Sequence, residues 1–247
     1  MIADVGMAKI SVIIPAFNEE KLIVQSLRAV ASASSALVDL GFGHEVIVCD
    51  NNSTDRTAEL ARTEGARVVF EPVNQIARAR NTGAAAATGE WLAFVDADSF
   101  PSRELFAEMA RVISTRRVLA GGAPVKMDEF HWRGWFFCEL WNCISRARRW
   151  AAGSFLFCDA AAFRELGGFD LLLYASEEIE LSQRLNLLAR AQGKRVVILR
   201  APMITSSRKL KIYSRAELGR FILRAAFKPI ATIKDREACS IWYDGRR

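Results

Sequence analysis

The chain has 247 residues, half of them hydrophobic, which is enough material for one large core, and its quarter of charged residues is ordinary for a globular protein. Five cysteines, an odd number without a C-x-x-C pair, and only two histidines argue against a disulfide framework and against a zinc site built on histidine. The net charge is +6, and residues 201–247 alone hold eleven Lys/Arg against four Asp/Glu, so phosphates, anionic lipid or nucleic acid compete with a plain solvated basic surface as the reason for it.

No repeat or low-complexity linker divides the chain, so one domain over 1–247 is expected. No apolar run approaches the roughly 18–20 residues that span a bilayer, and the first residues show no basic stretch leading into a long apolar one. The expectation is a cytoplasmic protein, peripheral to the inner face of the membrane at most.

Residues 9–17 (KISVIIPAF) read as a strand and 19–40 as a helix. A strand at 44–50 (HEVIVCD), a helix at 53–65 ended by Gly65 and a strand at 66–72 follow. The Ala-rich stretch 74–89 is helical and leads into a buried strand at 91–95. Such alternation predicts a mainly parallel sheet covered on both faces. Ligands of such sheets bind beyond the carboxyl ends of the strands, so residues 15–19, 50–55 and 96–98 share one rim. The second half is less regular. It reads as a helix at 102–114, a strand at 117–128 and an aromatic, basic, helix-like segment at 131–150. A strand and short helix ending at Gly167–Gly168, a helix at 176–193, a strand at 194–200 and a terminal helix at 213–229, stopped near Pro229, complete it.

The stretch EWLAFVDADSF drives a buried strand to its end and presents Asp96 and Asp98 on one side, since residues i and i+2 of a strand point the same way. Two carboxylates there repel and lose hydration unless something positive stands between them. A divalent cation, Mg²⁺ or Mn²⁺, meets that need with hard oxygen ligands. Capping of the next helix is the structural alternative. Asp50 ends another strand and could accept a hydrogen bond from a nucleotide base, while Ser53, Thr54 or Asp55 caps the helix behind it. Glu19 and Glu20 begin a helix, where the dipole alone explains acids.

In order, SVIIPAFNEE, VIVCDNNSTDRT, ARARNTGAAAATGEWLAFVDADS, GGFD and SEEIEL resemble the family 2 glycosyltransferases of GT-A fold, over about residues 9–208. The resemblance implies an α/β GT-A fold: a mainly parallel nucleotide-binding sheet flanked by helices (9–98), an irregular acceptor-side half (99–212) and a C-terminal helical tail (213–247). It implies metal-assisted transfer of a sugar, with inversion, from a nucleotide-diphosphate sugar to an acceptor hydroxyl in glycan, glycolipid or polysaccharide biosynthesis. A UDP-sugar is favoured, with GDP and dTDP left open, and the acceptor is a saccharide or a lipid-linked saccharide.

Carried over by residue, Pro15, Phe17 and Glu19 line the nucleotide pocket, Asp50 meets the base, Asn52 and Ala97 join the nucleotide-sugar site, and Arg80 sits near the base or phosphates. Asp96 and Asp98 match the DXD motif, with Asp98 as the direct metal ligand and Asp96 nearer the ribose or a metal-bound water. The family's acidic pair after GGFD reads Glu177-Glu178 here instead of Glu-Asp. Glu178 takes the general-base position, with Glu177 in reserve. Its extra methylene moves the carboxylate by about 1.5 Å, a displacement of the kind that can cost about 10²-fold in rate. Arg208 or Lys209 could close over the donor diphosphate. The aromatic segment from Trp132 to Trp150 could be core, an acceptor groove or a membrane contact.

Two other readings compete. A degenerate protein that binds a nucleotide sugar without turning it over would explain the altered acidic pair. A basic nucleic-acid-binding module would use the tail and aromatics but leaves Asp50, Asp96, Asp98 and Glu178 unexplained, so no nucleic-acid partner is expected.

Overall fold

The computed structural model describes residues 8–129, 132–208, 212–214, 217, 219–220, 224, 227–244 and 246. The first half alternates as read: β1 (Lys9–Ala16), α1 (Ile23–Asp39), β2 (Gly43–Asp50), α2 (Thr57–Thr63), β3 (Arg67–Phe70), α3 (Ile76–Ala86) and β4 (Trp91–Val95). Then come β5 (Ser99–Phe100), α4 (Arg103–Ser114), β6 (Val118–Gly122), β7 (Val125–Met127), α5 (Trp132–Arg148), β8 (Phe155–Asp159) and α6 (Ala160–Glu165). Further on lie α7 (Glu177–Ala191), β9 (Arg195–Ile198), β10 (Met203–Thr205), α8 (Pro229–Ile233) and α9 (Ser240–Tyr243).

Seven strands form the main sheet in the order β3-β2-β1-β4-β8-β6-β9, and only β8 runs against its neighbours. Buried side chains cover both faces. Ile10, Val12 and Ile14 of β1 pack with Leu27, Val30 and Leu37 of α1 and Phe106 and Met109 of α4. Ile13, one residue out of phase, packs on the other face with Ala77 and Ala84 of α3 and Leu181 and Leu185 of α7. The small residues of α3 let it lie close on the sheet. A Cβ at Gly83 would stand 2.5 Å from the Ile13 Cγ2, so a side chain there would push helix and strand apart.

Three expectations change in detail. The strand expected at 117–128 breaks before Pro124, which offers no N–H to a ladder; β6 stays in the main sheet and β7 joins a second sheet, β5-β10-β7. The helix expected from residue 19 starts at Ile23, because Asn18 turns the chain with φ 53° and a Glu19–Leu22 turn intervenes. The helix expected at 53–65 shortens to α2, since residues 51–56 form a loop in which Asp55 accepts from the Thr57 N–H at 2.9 Å. Pro229 opens α8, a position where its missing N–H costs nothing, and the chain is helical at Phe227 and bends at Lys228 just before it. Much of the expected helix 213–229, like Lys209 and His131, lies outside the described residues.

Candidate active site

Parallel pairing brings the strand ends together: Ile13 stands beside Phe94, and Ala16 beside Asp50. A cavity opens there. Pro15, Phe17 and Glu19 line it from the end of β1, Asp96, Ala97 and Asp98 from the end of β4, Arg80 from α3, and Glu177 and Glu178 from the start of α7. Nine predicted site residues thus meet in one place, drawn from four separate stretches of chain.

Arg80 is the hub of one half. Its guanidinium is 3% exposed. Nη1 donates to Glu177 Oε1 at 2.7 Å, while Nη2 donates to Asp96 Oδ1 and to the Gly153 carbonyl, both at 2.9 Å. The group also lies over the Phe169 ring, 5.2 Å from its centroid. Burial works against the Arg80 charge, but Asp96, Glu177 and Glu178 outweigh it and raise its pKa. Arg80, expected near the base or phosphates, lines the cavity and also acts as a structural tie: it fastens α3 to β4 and to the first turn of α7. Nε of Arg80 is a buried donor without a partner among the described residues.

The GGFD segment supports this hub from beneath. Gly167 and Gly168 end α6 with φ near 75°, and Asn81 exchanges two 2.9 Å hydrogen bonds with the backbone of Phe169. The Phe169 ring then packs edge-on against Phe94 at 5.0 Å. Gly167, Gly168 and Phe169 do not line the cavity.

Asp98 belongs to the other half. Antiparallel pairing of β5 with β10 sets Ser99 beside Thr205, and Ser206 N–H donates to the Asp98 carbonyl at 2.9 Å. This register carries Arg208 to the rim, where its Nη2 contacts the Glu19 carboxylate and lies 3.6 Å from Asp98 Oδ2. Its Nε and Nη1 are buried donors with no partner among the described residues. Unsatisfied buried guanidinium donors suit an anion. Among the described residues no three His, Cys, Asp or Glu side chains form a group able to hold a metal by themselves. The donors present fit a hard cation that takes one or two carboxylates here and its remaining oxygens from a diphosphate and water, the usual pattern for Mg²⁺.

Glu178 stands where this cavity meets a second one. Asp96, Gly153, Glu178 and Trp242 line both, and Phe137, Trp141, Ala152 and Thr205 line only the second. Burial, and then the neighbouring Glu177 carboxyl, push Glu178 up to about 8. Glu177 is committed to Arg80, so the two glutamates are not equivalent.

Residues 11–164, more than half of the chain, match the family model described as glycosyl transferase family 2. The chain belongs to that family.

Curated relatives carry the same stamp over part of their length. An uncharacterized glycosyltransferase of Mycobacterium tuberculosis is 38% identical over 120 residues, 45% of this chain and 50% of the relative. A validoxylamine A glucosyltransferase of Streptomyces hygroscopicus is 34% identical over 124 residues, 48% of this chain and 27% of the relative. The chain spans half or less of the length of these relatives. Among solved structures, glucosyl-3-phosphoglycerate synthase of Mycobacterium tuberculosis, in complex with Mn²⁺, UDP and glucosyl-3-phosphoglycerate, superposes with a TM-score of 0.63 at 22% identity, covering 94% of this chain and 80% of that one. S. aureus TarS in complex with UDP gives 0.61 at 21%, covering 92% and 65%. These likenesses are of fold, and the fold is GT-A.

The family 2 match includes Arg80, Asp96 and Asp98 and stops short of Glu177, Glu178 and Arg208. Two expected site residues are elsewhere engaged. Asp50 does not line the cavity; its carboxylate accepts from the Ser53 N–H at 3.1 Å and holds the turn after β2. Asn52, with φ 66°, is exposed, and its neighbour Asn51 lines the cavity instead. Asn51 is fixed there by donating to the Val73 carbonyl at 2.6 Å and accepting from the Gln75 N–H at 2.9 Å. Tyr174 and Trp242 are further lining residues that no sequence motif indicated.

The aromatic segment does not form core. Trp135, Phe136 and Phe137 of α5 are more than half exposed, and among its described rings Phe137 and Trp141 reach the second cavity. All five cysteines are free thiols. No helix among the described residues is long and apolar enough to cross a membrane.

Proposed function

We propose that this family 2 member is an inverting glycosyltransferase that moves a sugar from a UDP-sugar to an acceptor hydroxyl, with Glu178 as general base. The observation that carries the reading is that Glu178 borders both cavities. One is walled by Asp96, Asp98 and Arg80, the other by Trp141 and Phe137. A base at such a boundary can reach a hydroxyl arriving from the second cavity as it attacks a sugar held in the first.

In a single displacement the acceptor oxygen bonds to the anomeric carbon, and the bond from that carbon to the diphosphate oxygen breaks. The leaving electron pair goes to UDP and the acceptor proton to Glu178. Arg208 supplies donors for the diphosphate, and Asp98, with Asp96 beside it, would hold a Mn²⁺ or Mg²⁺ ion. When bound, that cation offsets charge on the departing diphosphate. Arg80 keeps Glu177 and Asp96 in place and takes no proton. The UDP and Mn²⁺ complexes of the structural relatives support the choice of donor base and ion. The occupied state of Glu177 supports Glu178 over its neighbour as base.

The test is thermal unfolding with UDP, GDP, dTDP and CDP, each with and without Mn²⁺, on the wild type and on Asp98→Asn. A ligand at 100 times its Kd stabilises the native state by about 2.7 kcal/mol. The expected result is a Mn²⁺-dependent shift with UDP that Asp98→Asn loses. No shift with any nucleotide would overturn the reading.

A further inference from the structure

Helix α5 turns a row of large apolar side chains away from the protein. It is fastened to the body along one stripe, where Gly134, Asn142 and Ser145 are buried and Cys138 and Trp141 half-buried. Asn142 clamps β7 within that stripe, accepting from the Val125 N–H at 2.8 Å and donating to the Val125 carbonyl at 3.0 Å. At about 100° per residue, Phe136, Leu140 and Ile144 fall in one line on roughly the opposite side. They are 56%, 50% and 39% exposed. Such a row meets water at a cost of apolar area unless something covers it.

Charge says what the cover is. Glu139 is the only acid between Trp132 and Trp150, against Arg133, Arg146, Arg148 and Arg149. Arg146, Arg148 and Arg149 are exposed at the end of the helix. An apolar row edged by arginines is complementary to an anionic lipid surface, with the rings among acyl chains and the guanidinium groups among phosphates. A second copy of the same helix would offer no carboxylates to those arginines apart from Glu139. Phe137 joins this face to the site, because it is 57% exposed and also lines the cavity beside Glu178.

We propose that the outer face of α5 docks in the plane of an anionic lipid bilayer and sets the mouth of the acceptor-side cavity against it, so that the acceptor hydroxyl belongs to a lipid-linked molecule. The acceptor clause rests on the glycosyl-transfer reading above; the docking clause does not.

The test is flotation with vesicles of phosphatidylcholine alone and of phosphatidylcholine mixed with phosphatidylglycerol. The wild type is expected on the mixed vesicles and not on the neutral ones, with binding that weakens as salt is added. Phe136→Ser/Leu140→Ser/Ile144→Ser should lower partition at least about tenfold. Arg146→Gln/Arg148→Gln/Arg149→Gln should lower it by roughly fivefold for each arginine removed. Both variants should keep the UDP and Mn²⁺ thermal shift of the wild type, which shows them folded with an intact donor site. A wild type that ignores mixed vesicles, or two folded variants that float as it does, would overturn the docking. So would a wild-type dimer that the serine variant converts to monomer, since the face would then belong to a second copy. Vesicle binding without a nucleotide shift would sink the glycosyl-transfer reading, and the lipid-linked acceptor with it, while docking stands.

Discussion

Arg80 and Asp96 meet through a 2.9 Å hydrogen bond from Nη2 to Oδ1, and the other terminal nitrogen of the same guanidinium holds Glu177 at 2.7 Å. One cation thus joins the end of β4 to the beginning of α7, and the spacing of Asp96 from the Glu177-Glu178 pair follows from it. The charge that the two aspartates require comes from within the chain, at Arg80 for Asp96 and at Arg208 for Asp98.

Removing Arg80 should therefore damage stability and activity together. Arg80→Ala leaves Glu177, whose side chain is 5% exposed, without its partner. Breaking a buried pair from one side costs about 3–5 kcal/mol. Urea unfolding should show a loss in that range for Arg80→Ala. Arg80→Met/Glu177→Leu should recover part of it, because the buried Glu177 carboxylate is then gone, while the one-third-exposed Asp96 still lacks its partner. Equal loss in the single and double variants would mean that the pair does not carry the effect.

Glu178 sets the pH dependence. Its folded-state value of about 8 lies above the ordinary 4.5, so at neutral pH the carboxyl is mostly protonated and unable to accept a proton. In the free enzyme kcat/KM should rise with pH and level off above about 8. Linkage runs the other way for folding: this group's contribution is fully present below pH 4.5 and is lost as pH rises through about 8. Glu178→Gln should abolish the rising limb, lower kcat by about 10²–10⁴, and keep the UDP shift. A Glu178→Gln variant with near wild-type turnover would remove it from the base role.

Arg208 should act on the donor and leave the acceptor alone. Two of its buried donors lack partners among the described residues, and hydrogen bonds to a charged group contribute about 1.5–3 kcal/mol. Arg208→Gln should weaken UDP binding by roughly 10–100-fold while uridine, which lacks the diphosphate, binds as before. Calorimetric titration with both ligands checks this, and equal weakening of both would place Arg208 away from the phosphates.

The carboxylates were legible because they end recognisable strands. Asp96 and Asp98 follow five buried residues, and the turn after β4, closed by the Ser99 N–H on the Asp96 carbonyl at 3.0 Å, leaves both lining the cavity. Their counter-charges were not, since pairing of β5 with β10 is what brings Arg208 to Asp98, across 110 residues of chain that carry no local sign of it. Asn51 and Asn52 differ in role by one step of a turn, and a positive φ at Asn52 decides which side chain faces the cavity. Phe136, Leu140 and Ile144 have the spacing of a packed helical face. Only the buried Asn142 on the other side reveals that this face looks outward.

Gly153 is a test of crowding at the shared wall. A Cβ there would lie 3.3 Å from Arg80 Nη2 and 3.6 Å from Glu178 Cδ. Gly153→Ala should fold normally but shift the Arg80 guanidinium, and with it the Asp96 and Glu177 carboxylates that it holds, by a few tenths of an ångström, while Glu178 meets the new methyl at ordinary contact distance. Turnover should fall by about tenfold, given that displacements near 1 Å cost about 10²-fold. Steady-state kinetics with unchanged thermal stability would bear this out; unchanged kcat would show slack at the wall.

The C-terminal segment makes the last prediction. Tyr243 of α9 donates its hydroxyl to the Tyr174 carbonyl at 2.9 Å and packs edge-on against the Tyr174 ring at 5.6 Å. Its neighbour Trp242 is thereby held against both cavities. The two residues should separate in their effects. Tyr243→Phe loses one hydrogen bond and should cost about 1 kcal/mol in unfolding, with a modest change in kinetics as Trp242 loosens. Trp242→Ala should cost about 1 kcal/mol, since the half-buried indole packs beside Cys239 and Tyr243, yet raise KM for both substrates by removing a wall they share. If Trp242→Ala changes neither KM, the tail merely covers the 171–176 loop, and the site ends at Glu178.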